Sequence, residues 1–360
     1  MALRRVGKRR WLLLAALGLL SVSALAVAIT PAGADLSLAI SAAARHSPQR
    51  TRRRRQATPT PTSSTAPTAG CQARTTPRRG ASVSLSMAVG SLTRDYRLHV
   101  PQSYRSNAPT PLVLAFHGHG TSAAPFERIT RLSQMADKRD FLVVYPQGLV
   151  GPDGLVGWNT DRAQDPSADD VGFVSALVTH LEATLCVDTR RIYATGFSNG
   201  GGLVEMLACQ LSDRLAAFAP VAGDYMAQPG GCHPSRAVSL LEIHGTADPI
   251  IPYEGSPVLG YPDIGAWLQD WATRDGCTAD PTTSSTGPGV IVERWSACRN
   301  ASTIQHDRLL DIGHGWPGGT AQAILPTPSA TPQPTPEAGA KTFDADTAIW
   351  QFFATRVLAG

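Results

Sequence analysis

The sequence has no C-x-x-C pair among its six cysteines, which removes the usual dithiol and zinc-ribbon spacings. It has no internal repeat, so a solenoid or propeller array is excluded. Its first 70 residues hold one acid, Asp35, against eleven Lys and Arg. From Cys71 onward the balance reverses, with 21 basic and 27 acidic residues and a net −6. The overall +4 therefore belongs to the N-terminal segment, and the remainder lacks the basic face that nucleic-acid binding needs. The run Arg52-Arg53-Arg54-Arg55 reads on the same ground as a solvated arm that could touch an anionic surface.

The N-terminus has the order of a secretory signal. Arg4, Arg5, Lys8, Arg9 and Arg10 precede an apolar run from Trp11 to Ile29, and Ala32-Gly33-Ala34 offers a small-residue cleavage site. Residues 1–34 are expected to be this signal. The run at 11–29 is close to spanning length, so an uncleaved membrane anchor is the alternative. Either way the bulk of the chain is expected outside the cytoplasm, secreted or held on the outer face of the membrane. An even cysteine count in an exported chain implies disulfides. Cys277 and Cys298 flank one short loop-and-strand segment and are the expected pair; Cys71, Cys186, Cys209 and Cys232 leave their pairing open.

Residues 35–79 read as the basic arm followed by a Thr/Pro/Ser linker, ATPTPTSSTAPTA at 57–69, too poor in apolar bulk to build a core. A second such tract, PTPSATPQPTP at 326–336, reads as a loop insertion because only one helix-sized segment follows it. A single folded domain over 80–360 is expected. Within it, short Val-, Ile- and Leu-rich runs suggest strands at 95–100, 112–116, 141–145, 191–196, 218–222, 239–244 and 304–311. Helix-length segments lie between or after them at 126–138, 171–185, 199–212, 263–275 and 344–358, two of them with clear apolar faces. Alternation of this kind predicts an α/β fold with a mainly parallel sheet covered by helices on both faces.

Gly196-Phe197-Ser198-Asn199-Gly200 matches G-x-S-x-G, between a strand and a helix-compatible stretch. That context makes Ser198 a candidate nucleophile on a tight strand-to-helix turn. Serine needs a base, and in this arrangement acid and base follow it in chain order. Asp248, in HGTADP after a strand, is the candidate acid, with Asp263 its rival; Asp263 has the position of a helix N-cap. His314, in DIGHGWPGG after the last strand, is the candidate base. His306 sits inside a strand pattern and His244 at a strand end, both read as structural. Two N–H donors should face the developing oxyanion. The backbone of Asn199 is one; the other comes from His117-Gly118-His119-Gly120-Thr121, with His119 ahead of Gly120. The H-x-H pair lacks a third ligand, so no metal is expected.

HGHGTSA, VVYPQG, GWN, DDVGF, GFSNGG, APVAG, HGTADP and GHGWPGG, in order from Tyr96 to the C-terminus, resemble the secreted esterase family containing polyhydroxybutyrate depolymerases, feruloyl esterases and acetyl-xylan esterases. The resemblance implies an α/β-hydrolase fold, ester hydrolysis by Ser198, Asp248 and His314 without a cofactor, and Trp158 and Trp316 lining the acyl or sugar pocket. Asp169 and Asp170 look structural, capping a helix. The expected activity is a monomeric, secreted serine carboxylesterase acting on feruloyl or acetyl esters of plant cell-wall polysaccharide. Short hydroxyalkanoate polyesters are the alternative substrate, although no separate polymer-binding module is evident. A peptidase with the same residues, or a non-catalytic surface binding protein on a hydrolase fold, are the rivals.

Overall fold

Short apolar runs become central strands because a parallel sheet buries both of their faces. In β3 (Thr110–Phe116) every residue is buried; Leu112, Leu114 and Phe116 enter one core cluster, Val113 and Ala115 the other. The computed structural model describes residues 68–72, 77–160, 168–228, 230–320 and 342–358. The signal or anchor at 1–34, its apolar run at 11–29, most of the arm and linker, and the tract at 326–336 lie outside the described residues. Among the described residues no helix is long and apolar enough to cross a membrane.

The first strands of the described residues form a hairpin, β1 (Ala81–Val89) and β2 (Leu92–Val100), and the chain continues through β3 into helices α1 (Ala123–Thr130) and α2 (Leu132–Arg139). After β4 (Leu142–Pro146) a small hairpin pairs β5 (Leu149–Val150) with β6 (Val156–Gly157). Then come α3 (Asp170–Thr184), β7 (Val187–Phe197), α4 (Asn199–Gln210), β8 (Ala217–Val221), β9 (Ser239–Gly245) and α5 (Ile264–Arg274). The antiparallel pair β10 (Thr282–Gly287) and β11 (Val290–Trp295) precedes β12 (Ile304–Leu309) and α6 (Ala345–Phe353). Among the described residues ten strands form one sheet in the order β1-β2-β4-β3-β7-β8-β9-β12-β11-β10. From β4 to β12 each neighbour pair is parallel, and an antiparallel hairpin extends the sheet at either end.

Helices α3, α4 and α5 bury Leu177, Leu203 and Trp271 against one face; α1, α2 and α6 bury Phe126, Ala136 and Phe353 against the other. Leu177, Leu203, Phe126 and Phe353 each contribute about 1.5–3 kcal/mol when removed from water. The expected α/β class and each expected strand are present. The expected helix at 126–138 is instead two helices, broken at Arg131, whose φ is 51°. The physical reason is tertiary: its guanidinium donates to the Gly318 carbonyl at 2.6 Å and to Asp344 Oδ2 at 2.7 Å. Asp169, Asp263 and Asp344 each cap a helix, accepting from Gly172, Ala266 and Thr347 amides. Disulfides join Cys277 to Cys298, as the spacing suggested, Cys71 to Cys186 and Cys209 to Cys232.

Candidate active site

The three expected catalytic residues lie at or beyond the carboxyl ends of β7, β9 and β12, on the sheet edge where open α/β folds bind ligands. Ser198 occupies the turn between β7 and α4 with φ 55° and ψ −121°. That backbone costs a non-glycine residue about 1–3 kcal/mol and persists only where its surroundings impose it. Here they do: its amide donates to the Val221 carbonyl at 2.9 Å, and its carbonyl accepts from Gly202 at 3.0 Å. The flanking glycines are required by close approach. A Cβ on Gly196 would lie 2.3 Å from the Gly200 carbonyl oxygen, and one on Gly200 would lie 2.3 Å from that of Phe116. The turn therefore lifts the serine off the strand end while α4 presses against the β3 loop.

Asp248 and His314 are joined. His314 Nδ1 donates to Asp248 Oδ2 at 2.7 Å, with the carboxylate side chain fully buried and the imidazole 10% exposed. The other carboxylate oxygen accepts from the amides of Ile250 at 2.8 Å and Ile251 at 2.9 Å. Burial alone would raise this carboxyl, but the neighbouring rings of His244 and His314 outweigh it and hold Asp248 well below the ordinary carboxylate range. The two loops meet because β9 and β12 are paired and Gly245 lets them touch. The Ala247 amide donates to the Ile312 carbonyl at 3.0 Å, and a Cβ on Gly245 would lie 2.2 Å from that same oxygen. The imidazole of His314 packs on Phe197, centroids 4.7 Å apart, one residue before the serine. The Ser198 hydroxyl makes no hydrogen bond to that imidazole in this structure; such contacts commonly tighten when substrate arrives.

The loop after β3 runs beside the serine: a Cβ on Gly118 would lie 3.3 Å from Ser198 Cβ. Within it the Gly120 amide already donates to the Val156 carbonyl at 2.8 Å, whereas the His119 amide has no acceptor among the described residues. The Asn199 amide, at the first position of α4, likewise has none; its side chain instead clamps the Trp158 backbone and Thr160. This loop is braced from below by His117. Its Nδ1 donates to the Gly118 carbonyl at 2.9 Å and its Nε2 accepts from the Gly148 amide at 3.0 Å. Burial pushes this ring down to about 4, so it is neutral, as its two partners require. At the mouth, His119 Nε2 lies 2.8 Å from Asp153 in the β5–β6 hairpin.

Three expectations need correction. Trp158 and Trp316, expected to line the acyl or sugar pocket, are buried in the protein at 1% and 5% exposure; Trp158 borders a small cavity with Leu149, Asn159 and Asp170, whose lining does not include Ser198. The Trp158 indole donates to the His117 carbonyl at 2.8 Å and packs against Phe116 and His117. Trp316 donates to Asp346 at 2.9 Å and packs against Phe126, pinning the segment just after His314. An indole N–H satisfied internally, on a ring packed on all sides, is a brace for the loop that carries it. His244, expected to be simple packing, is instead part of a buried ionic cluster with Glu242 and Asp248. Asp170 caps nothing; it pairs with buried Arg94 at 2.7 Å and accepts from the Asn159 amide at 2.9 Å.

A covered parallel sheet, a serine on a strained strand-to-helix turn, and an acid and an imidazole on two later strand ends together define the α/β-hydrolase class. The chain matches the family model described as esterase PHB depolymerase over residues 95–256. It is 31% identical over 287 residues to the protein named "Putative esterase NocK" of Nocardia uniformis subsp. tsuyamanensis, spanning 71% of this chain and 82% of that protein. It is 32% identical over 224 residues to feruloyl esterase B of Piromyces equi, spanning 59% of this chain but 41% of that longer protein. The acetyl xylan esterase from Aspergillus awamori shares the fold, with a TM-score of 0.52 at 14% identity over 66% of this chain and 94% of that one. The chain belongs to the esterase family of the polyhydroxybutyrate depolymerases.

Proposed function

We propose that the protein is a secreted serine carboxylesterase that hydrolyses carboxylic esters through an acyl-enzyme. The observation that carries this is the buried Asp248–His314 pair at 2.7 Å on the same sheet edge as a serine held in a strained turn. His314 takes the proton of Ser198 as its oxygen attacks the ester carbonyl, and Asp248 holds the imidazole so that its free nitrogen faces the serine. The tetrahedral oxyanion is received by the amides of His119 and Asn199, which have no other acceptor among the described residues. The imidazolium returns its proton to the departing alcohol. Water, deprotonated by the same imidazole, then cleaves the acyl-serine and releases the acid. No cofactor enters either half of the cycle, and one chain supplies every group.

For substrate, feruloyl or acetyl esters on plant cell-wall polysaccharide are the favoured class. Family membership supports it, together with relatives that carry the names feruloyl esterase B and acetylxylan esterase. Short hydroxyalkanoate esters are the second class, favoured by the family model itself. Export is supported by three disulfides, which persist in oxidising surroundings. The test is turnover of aryl acetate, methyl ferulate, acetylated xylan and hydroxybutyrate oligomer by the wild type and by Ser198→Ala. Wild-type turnover with one natural ester standing out, and none by the variant, is the expected result. Equal inertness of both on all four would favour a binding protein.

A further inference from the structure

Behind Asp248 lies a set of ionisable side chains that the ester mechanism leaves unused. Glu242 and His244 are both on β9 and both side chains are fully buried. His244 Nδ1 stands 2.9 Å from Glu242 Oε1. Its Nε2 stands 2.9 Å from the Ile251 carbonyl oxygen and 3.5 Å from Asp248 Oδ2. A carbonyl oxygen and a carboxylate only accept, so each ring nitrogen of His244 carries a proton. That is the reverse of His117, whose two nitrogens face one acceptor and one donor. Burial opposes the charge on His244, but Glu242 and Asp248 outweigh it and raise the ring to about 10.

The remaining groups around this ring are aromatic or act through Glu242. Tyr253, from the loop after β9, presents its ring 5.9 Å away at a steep angle. From β12, His306 Nδ1 lies 2.7 Å from Glu242 Oε2 and its Nε2 lies 2.9 Å from the Tyr253 hydroxyl. From the loop after β8, the Tyr225 hydroxyl donates to Glu242 Oε1 at 3.1 Å. On the far side of Asp248 is His314.

We propose that His244, kept cationic by Glu242, is a positioning residue that holds Asp248 ionised and turned toward His314. The inference rests on Ser198, Asp248 and His314 being the catalytic set. One short segment links the two groups: the Ile251 amide donates to Asp248 while its carbonyl accepts from His244. The ring thus fixes the backbone that aims the acid. Its charge also offsets the cost of a fully buried carboxylate, which would otherwise favour taking up a proton. Asp248 contacts both rings, so a positive charge on His244 stands on the other side of the same carboxylate from His314.

His244→Gln keeps an N–H near Ile251 and removes the charge. Its expected effect is a loss in kcat of about ten- to a hundredfold with KM unchanged. The acid limb of kcat/KM should move up by about one pH unit. A variant that merely left less folded enzyme would scale kcat and leave the acid limb in place. A second measurement needs no variant enzyme to fold: nitrogen-15 histidine spectra of the intact protein at pH 8.5 should show one ring with both nitrogens protonated. Absence of that imidazolium, or a wild-type kcat and acid limb in His244→Gln, overturns the proposal. Ser198→Ala and His314→Ala separate the two levels: if they stay active, the catalytic set itself is wrong; if they are dead while His244→Gln is normal, only this inference fails.

Discussion

Replacing Asp248 by Asn is the most informative single change, because the structure dictates which way the new amide must turn. One carboxylate oxygen accepts from the Ile250 and Ile251 amides, so the carbonyl oxygen of Asn would stay there. Its NH2 group would then replace Oδ2, opposite His314 Nδ1 at 2.7 Å and His244 Nε2 at 3.5 Å. A donor would face two donors. His314 can respond by shifting its proton to the other nitrogen, which leaves nothing to accept the proton of Ser198. His244 cannot respond without losing its bond to Glu242 or to Ile251. The loss in kcat should be about 10⁴-fold, the size seen when such a tautomer is reversed in a serine triad. That corresponds to about 5 kcal/mol of barrier. Stability should fall too, by about 1–3 kcal/mol, for the donor left buried without an acceptor. Initial rates on an aryl acetate, with near-ultraviolet circular dichroism as a check on folding, measure both. A folded variant losing less than tenfold in kcat would refute the assignment of Asp248.

Two other changes probe the scaffold. In Gly200→Ala the new Cβ would lie 2.3 Å and 2.6 Å from the carbonyl oxygens of Phe116 and His117, forcing α4 away from the β3 loop. A stability loss of about 1–3 kcal/mol and a kcat loss of about a hundredfold are expected, whereas Gly287→Ala, with open space around it, should do neither; identical melting and rates for the two variants would count against the elbow geometry. Glu205 on α4 donates nothing and accepts from the Trp267 indole at 2.6 Å, and burial pushes its carboxyl up to about 7. The folded state therefore binds this proton more tightly than the unfolded chain, so stability is highest below about pH 4 and falls until the folded value is passed. Glu205→Gln keeps the acceptor and removes that fall: between pH 4 and pH 8 the stability of the variant relative to the wild type should rise by up to about 3 kcal/mol, and parallel melting curves across that range would disprove it.

Local pattern carried what local physics decides. Each of the six parallel strands was legible, since a run such as LVLAF has to be buried on both sides. The elbow and its acid and base were legible because strand, turn and helix signals surround Ser198 and strand ends precede Asp248 and His314. Strand β10, TTSSTG, was not: it is exposed along nearly all its length, and only pairing with β11 makes it a strand. The break at Arg131 was hidden because helical spacing runs through it, and its cause sits at Gly318 and Asp344, far along the chain. The cationic state of His244 depends on Glu242 and on a backbone oxygen seven residues away, a pairing that no spacing rule encodes. The burial of Trp158 and Trp316 was hidden for a related reason. Proximity in sequence to a motif says where an indole is, but its partners His117 and Asp346 decide which way it faces.

The three candidate catalytic side chains sit on β7, β9 and β12, and β12 is seated in the sheet only by pairing with β9 and β11. During synthesis the serine emerges first and the imidazole 116 residues later. A chain still growing, or one clipped before β12, has the serine and the acid but no base to connect them. The parallel pairing that brings in the base is non-local and closes slowly compared with helix formation. Hydrolytic competence is therefore the last property such a chain acquires, and regain of turnover after denaturation marks completion of the whole sheet more sharply than recovery of helical signal does.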